Sequence, residues 1–326
     1  MTRIVFMGSP DFAVPSLEAL IEAGHEIIGV VTQPDRQAGR GRKVVPPAVK
    51  IAAQRLQVPV LQPSSLRRTE AVAELAALRP ELIVVAAFGQ ILRRNVLDLP
   101  ARGVLNVHAS LLPRWRGASP VTAAILAGDA QTGASVMLLD EGLDTGPVLA
   151  MRSTPIEDHD SGGSLTARLA EIGATLLVET IPGWIEGSIE ATAQDGAHAT
   201  YAPRIDKGAG QIDWSRPAVQ IWRQVRAYTP WPGAITAYSA SQLKIEEAWP
   251  LTGYAVEPPG TVVSLPWGAA ERVPAERPRP AFAVVTGDGY LLPLRVQRSG
   301  KRSMYAEEFL RGERALTGSR LGDVVE

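Results

Sequence analysis

The sequence predicts an α/β domain built on a mostly parallel sheet, followed by a smaller β-rich domain. In roughly the first 190 residues, short and almost continuous apolar runs alternate with helical patterns, as in parallel sheets covered by helices on both faces. After residue 229, short β-like runs recur between Pro and Gly residues, which favours a small barrel or sandwich. The length of 326 residues agrees with about two domains.

The predicted elements follow in chain order. The strands expected in the first domain are residues 4–7, 26–32, 58–61, 82–88, 104–108, 134–139 and 148–151, and its longest helix is 164–185. The later part is expected to form a helix over 217–228 and strands over 235–238, 243–248, 260–265, 282–286 and 290–297. Residues 191–210 show no sustained periodicity, which is typical of a linker. We therefore expect a first domain over 1–189, a linker over 190–206 and a second domain over 207–326.

The composition excludes several classes of protein. Apolar residues make up 45% and charged residues 21%, with a mean hydropathy of +0.03, which argues against disorder, collagen and coiled coil. The chain has no Cys and only four scattered His, which excludes thiolate nucleophiles, disulfides and zinc ribbons and argues against a metal site. No apolar run approaches the roughly 18 residues of a membrane span, and no signal-peptide pattern opens the chain, so we expect a cytoplasmic protein.

The charge is unevenly distributed, although the net charge is only −1. Residues 1–203 carry 17 basic and 21 acidic side chains, and residues 204–326 carry 16 and 13, so the two parts have charges of −4 and +3. A short loop concentrates positive charge against the single acid Asp35, with Arg36, Arg40, Arg42, Lys43 and Lys50. From composition alone a solvated loop is the usual interpretation, and a phosphate-binding loop is the alternative.

Chemistry is predicted at the end of the strand over 104–108. Asn106 and His108 lie two residues apart, so their side chains project from the same face of the strand. An amide and an imidazole at the carboxyl edge of a parallel sheet can stabilise an oxyanion and move a proton, as acyl transfer requires. Asp144 lies in a later Gly-rich turn and could orient the His108 ring. The alternatives are a partly buried structural histidine and a solvated acidic turn.

A dinucleotide site is not favoured at the first strand-to-helix turn. The segment Gly8-Ser-Pro-Asp follows the first strand, but the second and third glycines of the GxGxxG pattern are missing, and no Walker A sequence occurs. The absent glycine pattern argues against a dehydrogenase.

Several motifs resemble the folate-dependent formyltransferases. NVHASLLPRWRGASP (106–120) and GLDTGPVL (142–149) are similar to the catalytic motifs of that family. The segments that extend the similarity almost end to end, and narrow it to the branch that formylates methionyl-tRNA, are 8–20, 33–50, 201–218 and 300–312. The resemblance implies a Rossmann-like formyltransferase domain and a C-terminal β-barrel domain of the OB type that binds tRNA.

The resemblance also implies roles for particular residues. Asn106, His108 and Asp144 would be catalytic. Because the chain has no Cys and no nucleophilic Ser paired to a base, we expect direct transfer without a covalent enzyme intermediate. Residues implied for 10-formyltetrahydrofolate, the co-substrate, are Ser110, Leu111, Leu112, Pro113, Phe88, Gly89, Gln90, Leu139 and Asp140. Those implied for the acceptor, methionyl initiator tRNA, are Arg40, Arg42, Lys43 and Lys207. No metal, no membrane partner and a monomeric state are expected.

Three alternative functions stay open. An amino sugar nucleotide formyltransferase or a formyl-folate hydrolase could use the same catalytic residues, and a non-catalytic RNA-binding protein belongs to a different class. The basic loop and the C-terminal domain favour a tRNA acceptor.

One segment departs from the family pattern. The segment Pro266–Pro280 is Pro-rich and resembles an insertion between barrel strands, so we expect it to be exposed.

Overall fold

A computed structural model describes residues 2–38, 43–239, 241–313 and 315–322. The contacts divide the chain into two compact units. The first comprises residues 1–120, 131–155 and 165–203, and the second comprises 121–130, 156–164 and 204–326. The division at 1–189, 190–206 and 207–326 stays a prediction. None of the helices within the described ranges combines the length and apolar character needed to cross a bilayer.

The part of the chain up to residue 202 alternates strands and helices, as the sequence pattern indicates. In chain order its elements are β1 (Arg3–Gly8), α1 (Val14–Glu22), β2 (Glu26–Val31), β3 (Arg36–Ala38), β4 (Lys43–Val45), α2 (Ala48–Arg55), β5 (Val60–Leu61), α3 (Thr69–Ala77), β6 (Leu82–Ala86), α4 (Arg94–Leu97), β7 (Val104–His108), β8 (Arg116–Gly117), α5 (Pro120–Ala127), β9 (Gln131–Leu138), β10 (Val148–Pro155), α6 (Gly162–Glu186) and β11 (Tyr201–Ala202).

A seven-stranded, mostly parallel sheet forms the centre of the first unit. Its strand order is β10-β9-β7-β6-β1-β2-β5, in which β5, β2, β1, β6 and β7 run parallel and β9 and β10 run antiparallel. Its central strands are buried, which explains their almost continuous apolar sequences. The predicted α/β class and mostly parallel sheet are therefore confirmed.

The second unit contains an antiparallel half-barrel. Its elements after residue 203 are α7 (Ala218–Ala227), β12 (Ala234–Tyr238), β13 (Ser241–Leu251), β14 (Val262–Val263), β15 (Ala283–Val285), β16 (Tyr290–Arg298), β17 (Ser303–Tyr305) and α8 (Ala306–Gly312). The strand order is β12-β13-β16-β15-β14, and β17 also pairs with β16. Two register shifts interrupt the pairing of β13 with β16, and such bulges bend a strand as a barrel requires. The predicted C-terminal β-barrel domain is confirmed in this half-barrel form.

Aromatic side chains fill the core of the half-barrel. Trp214, Phe282 and Phe309 are buried together with the inner face of α7, and the Trp214 indole N–H donates to Thr236 Oγ1 at 2.9 Å. Burying the indole therefore leaves no polar group unpaired.

The segment Pro266–Pro280 is only partly exposed, which corrects the expectation drawn from its composition. Trp267 is fully exposed, but Ala269 and Val273 are 1% and 2% exposed and pack in a small apolar cluster with Leu251 and Leu292. The Pro-rich composition obscured these two anchoring positions, because two apolar residues among turns produce no period. The segment therefore closes over one part of the half-barrel.

Candidate active site

The end of β7 presents two polar side chains on one face, as the spacing predicts. Leu105 and Val107 lie in the apolar cluster on one side of the sheet, so Asn106 and His108 project to the opposite side. Both are almost fully enclosed, with exposed fractions of 7% and 6%. No residue within the described ranges makes a hydrogen bond with the Asn106 side-chain amide, so its N–H groups are unused by the protein itself.

The His108 ring is fixed by a backbone carbonyl. Its Nε2 lies 2.9 Å from the carbonyl oxygen of Trp115, which can only accept, so Nε2 carries a hydrogen and donates it. The other ring nitrogen, Nδ1, lies 3.6 Å from Asp144 Oδ2, which is longer than a hydrogen bond. Nδ1 is therefore the ring nitrogen left for chemistry, and a substrate group or a water can contact it together with the carboxylate.

Asp144 is held in a tight turn between β9 and β10. Its φ of +51° lies in the left-handed region, and its Oδ2 accepts the Gly117 N–H at 2.8 Å. Thr145 Oγ1 donates to Asp140 Oδ1 at 2.8 Å on the same turn, and the Gly142 N–H donates to the same oxygen at 3.0 Å. Asp140 is thus an organiser of the turn, and the Asp144 carboxylate is 15% exposed and aimed at the His108 ring.

Tight packing explains a glycine at the end of this turn. A Cβ on Gly146 would overlap the Leu138 carbonyl oxygen, so any larger residue would displace the strand that precedes the turn. The Gly-rich sequence around Asp144 therefore has a geometric cause.

The arrangement unites three groups suited to acyl transfer. The Asn106 amide is an unused donor, the His108 ring offers Nδ1, and the Asp144 carboxylate lies beside that nitrogen. An enclosed site makes each such interaction stronger than it would be in water. Within the described residues, no group of three or more His, Cys, Asp or Glu is arranged to hold a metal ion.

The predicted folate residues after β6 lie on an irregular segment. β6 ends at Ala86, because Ala87 and Gly89 have φ values of +46° and +79°. The Phe88 carbonyl accepts from Gln33 Nε2 at 3.2 Å, while Gln90 Oε1 accepts from the Leu66 N–H at 3.0 Å. The Gln90 Nε2 is buried and has no hydrogen-bond partner among the residues that the structure describes.

The predicted folate residues after β7 include buried ones. The Ser110 hydroxyl is fully buried and donates to the Arg114 carbonyl at 2.6 Å, and its own carbonyl accepts from Ser135 Oγ at 2.7 Å. Leu112 is 4% exposed and packs with Met137, near Leu139. Leu111 and Pro113 are half-buried and remain accessible to a ligand. Ser110 is therefore engaged in the turn, and a role toward folate stays a prediction for the whole run 110–113.

The predicted tRNA residues are described only in part. Arg40 and Arg42 lie outside the described residues, and Lys43 begins β4, which pairs with β3 as an antiparallel hairpin. Lys207 is exposed at the start of a 3-10 helix over Lys207–Gly210, which is capped by the Asp206 carboxylate. Their contacts with tRNA stay predictions.

The base of the β3–β4 hairpin is tied by a polar network. Asp35 contacts Lys50 Nζ at 2.7 Å and accepts from Gln62 Nε2 at 2.7 Å. Gln62 Nε2 also donates to the Gln33 carbonyl at 2.9 Å, and Arg36 Nη2 donates to Gln33 Oε1 at 3.0 Å. The hydrogen bonds from Gln62 and Lys50 hold the pKa of Asp35 below its ordinary value. The sequence indicated the positive charge of this loop but not the hairpin or its ties.

Sequence reasoning also missed the supports of the site. The Trp115 carbonyl that fixes His108 belongs to a residue whose N–H donates to Thr200 Oγ1 at 2.8 Å, within the predicted linker. Arg116 and Gln194 form a second support. No periodicity marks Thr200 or Gln194, and no local signal could have assigned them to the site.

Two family models match the chain. The model described as "Formyl transferase" matches residues 2–181, and the one described as "Formyl transferase, C-terminal domain" matches residues 204–314. Among similar curated proteins, the methionyl-tRNA formyltransferase of Roseiflexus sp. (strain RS-1) is 49% identical over 323 residues, which is 98% of this chain and 95% of that protein. That of Pseudomonas paraeruginosa (strain DSM 24068 / PA7) is 47% identical over 302 residues, 93% of each chain.

Solved structures share the fold at lower identity. WlaRD, a sugar 3N-formyl transferase crystallised in the presence of dTDP and 5-N-formyl-THF, is 19% identical with a TM-score of 0.64, over 93% of this chain and 99% of that one. HypX from Aquifex aeolicus in complex with tetrahydrofolic acid is 18% identical with a TM-score of 0.61. The match covers 98% of this chain but 48% of HypX. At these identities the likeness shows the fold alone.

Proposed function

Because the chain belongs to the methionyl-tRNA formyltransferase family, we propose that it transfers the formyl group of 10-formyltetrahydrofolate to the α-amino group of methionyl initiator tRNA. The product, N-formylmethionyl-tRNA, serves translation initiation. The observation that carries the proposal is the meeting of Asn106, His108 and Asp144 at the end of β7, since an amide, an imidazole and a carboxylate are what formyl transfer to an amine requires.

The reaction is a direct displacement at the formyl carbon. The neutral amine of the methionyl ester attacks that carbon, and the carbonyl oxygen becomes negatively charged in a tetrahedral intermediate. The unused Asn106 amide donates to this oxygen, and His108 donates from Nδ1 once that nitrogen has taken up a proton. The bond to the folate nitrogen then breaks as the carbonyl re-forms. With no Cys in the chain, no thioester intermediate is available.

Asp144 assists the transfer of a proton from the attacking amine to the folate nitrogen. The attacking amine loses a proton, and the leaving folate nitrogen gains one. The Asp144 carboxylate lies 3.6 Å from His108 Nδ1 and is fixed by the Gly117 N–H, so it can hold the ring and pass a proton, directly or through a water.

The folate site is proposed beyond the carboxyl ends of β6 and β7, with residues 139–140 contributing from the turn between β9 and β10. Residues 88–90, 110–113 and 139–140 would surround the pterin and its attached groups. In open α/β sheets, ligands bind beyond the carboxyl ends of parallel strands, where residues 88–90 lie.

The tRNA contacts are proposed on the basic hairpin and the second domain. Arg40, Arg42 and Lys43 would bind phosphates of the acceptor end, with Lys207 contributing from the second domain. The ties between Asp35, Gln62 and Lys50 support this role, because they hold the base of the hairpin in one position. The matched test is Arg42→Ala, which should raise the KM for tRNA and leave the KM for formyl-folate unchanged; equal loss of both would contradict the assignment.

Domain boundaries and state of assembly complete the proposal. Residues 1–189 would form the catalytic domain, 190–206 the linker and 207–326 the tRNA-binding domain, acting as a monomer in the cytoplasm. The catalytic trio comes from one chain, so a second copy is not needed to complete it.

Substitutions at the trio test the catalytic assignment. His108→Ala and Asp144→Asn should each lower the single-turnover formylation rate by about 100-fold or more, because each removes a group that contacts the reacting atoms. His198 provides a matched control, since it is exposed and its ring Nε2 lies 3.6 Å from Asp195 Oδ2. Near-parent rates for His108→Ala and Asp144→Asn would contradict the proposal, whereas His198→Ala should retain the parent rate.

A further inference from the structure

The backbone of Asp144 is held by a side chain from a distant segment. Gln194 Nε2 donates to the Asp144 carbonyl at 2.9 Å and to the Gly146 carbonyl at 2.7 Å. The first carbonyl belongs to the residue whose φ is +51°, a conformation that residues other than glycine adopt rarely, and the second lies two residues later in the same turn. The two N–H groups of one amide therefore hold the strained part of the turn from one side.

The Gln194 amide is itself oriented by a buried arginine. Arg116 donates to Gln194 Oε1 from Nε at 3.0 Å and from Nη2 at 2.9 Å, and it is 6% exposed. The guanidinium can only donate and the two carbonyls can only accept, so these partners determine which end of the amide faces which group. Reversing the amide would break all four hydrogen bonds.

Residues of one short strand, β8, hold both the main chain and the carboxylate of Asp144. β8 contains Arg116, which acts on the backbone of Asp144 through Gln194, and Gly117, whose N–H donates to Asp144 Oδ2 at 2.8 Å. β8 pairs with β11, where the Gly117 φ of +109° brings it close to the Ala202 carbonyl. The main chain and the carboxylate of Asp144 are thus fixed by neighbouring residues of β8.

We propose that Arg116 and Gln194 are positioning residues that set the Asp144 carboxylate against His108 for formyl transfer. The inference rests on the proposed function, because it assumes that Asp144 takes part in the reaction. Neither residue needs to touch a substrate. Displacing a catalytic group by about 1 Å can cost on the order of 100-fold in rate, and the 3.6 Å gap between Nδ1 and Oδ2 leaves little tolerance.

Two substitutions at Gln194 separate positioning from folding. Gln194→Glu keeps an acceptor for Arg116, so the buried charge stays paired, but it loses both donors to the turn. Gln194→Ala loses both functions and also leaves Arg116 unpaired. Gln220→Ala is the matched control, because Gln220 is an exposed glutamine whose Oε1 accepts from Arg216 Nε at 3.0 Å, outside the site.

The expected signature is a loss in kcat without a loss in binding. Both Gln194 variants should lower kcat by about 10- to 100-fold, with the KM for formyl-folate and for methionyl-tRNA within about threefold of the parent. The thermal midpoint should fall for both variants, and by less for Gln194→Glu, because Arg116 keeps its acceptor. Gln220→Ala should leave all of these values unchanged.

A double-mutant cycle tests whether Gln194 acts through Asp144. In the Asp144→Asn background, adding Gln194→Glu should slow single-turnover formylation by less than about threefold, because the residue that it positions is already disabled. A parent-like kcat for Gln194→Glu, or the same fold loss in both backgrounds, would overturn the inference. A parent-like rate for Asp144→Asn alone would instead overturn the proposed role of Asp144, and the inference with it.

Discussion

The unused amide of Asn106 allows its contribution to catalysis to be separated from stability. In Asn106→Ala the donor to the formyl oxygen is lost, but no hydrogen bond within the described residues is broken. Asn106 is 7% exposed, and its amide atoms are not among the fully buried, unpaired side-chain atoms of the described residues, so water can reach them. Its removal leaves no protein group unpaired, and the cost to stability is limited to the packing of the side chain.

The expected magnitudes follow from this geometry. Loss of one preorganised oxyanion donor lowers the rate by about 100- to 1000-fold, equivalent to about 3–4 kcal/mol of transition-state stabilisation. The free energy of unfolding should change by less than about 1 kcal/mol, because the substitution breaks no hydrogen bond within the described residues.

Two measurements on the same preparations of Asn106→Ala separate the loss of rate from the loss of stability. Single-turnover formylation with saturating methionyl-tRNA and 10-formyltetrahydrofolate reports the chemical step, and urea unfolding reports stability. Asn95→Ala is the matched control, because Asn95 is exposed on α4. A rate within threefold of the parent, or a rate loss that matches a comparable loss of stability, would contradict the assignment of Asn106 as a donor to the formyl oxygen.

Three further predictions concern the hairpin, a histidine and the Pro-rich segment. Asp35→Asn should raise the KM for tRNA by about three- to tenfold, because the base of the hairpin is no longer held in place. Removal of the negative charge would by itself lower this KM. The KM for tRNA, measured at two salt concentrations, shows which of the two effects is larger. Burial lowers the pKa of His25, so the stability that its neutral form contributes is present above its ordinary pKa and is lost as pH falls through the lowered value. His25→Gln should flatten the decline in urea midpoint between about pH 7 and pH 5, and a decline as steep as the parent's would contradict this. Val273→Ala should cost about 2 kcal/mol in urea unfolding, whereas Trp267→Ala, at a fully exposed position, should cost less than about 0.5 kcal/mol; equal costs would show that Val273 does not anchor the segment.

Much of the fold could be predicted from local patterns. The strand over 104–108 has the predicted bounds, because an apolar run with two polar residues on one face is a complete local signal. The predicted strand over 82–88 is two residues shorter in the structure, since Ala87 and Gly89 turn the chain with positive φ. Propensity alone does not report such a turn for Ala87.

The supports of the site could not be predicted, for a physical reason. Gln194 lies 78 residues from Arg116 and 50 residues from Asp144 along the chain, so its role arises only in the folded sheet. The predicted linker segment around it lacks periodicity because its side chains form individual hydrogen bonds rather than one apolar face. The catalytic trio was predicted because its residue types carry chemistry, whereas a glutamine and an arginine in turns are usually solvated.

A panel of formyl acceptors distinguishes transfer to tRNA from the alternative reactions. The purified chain is given 10-formyltetrahydrofolate with a labelled formyl group and, in separate reactions, methionyl initiator tRNA, methionyl elongator tRNA, a dTDP-linked amino sugar, or water alone. We expect rapid transfer to methionyl initiator tRNA, weaker transfer to the elongator tRNA, and an apparent affinity for tRNA that falls as salt rises. Label transferred to the amino sugar instead, or released as formate without transfer to tRNA, would contradict it.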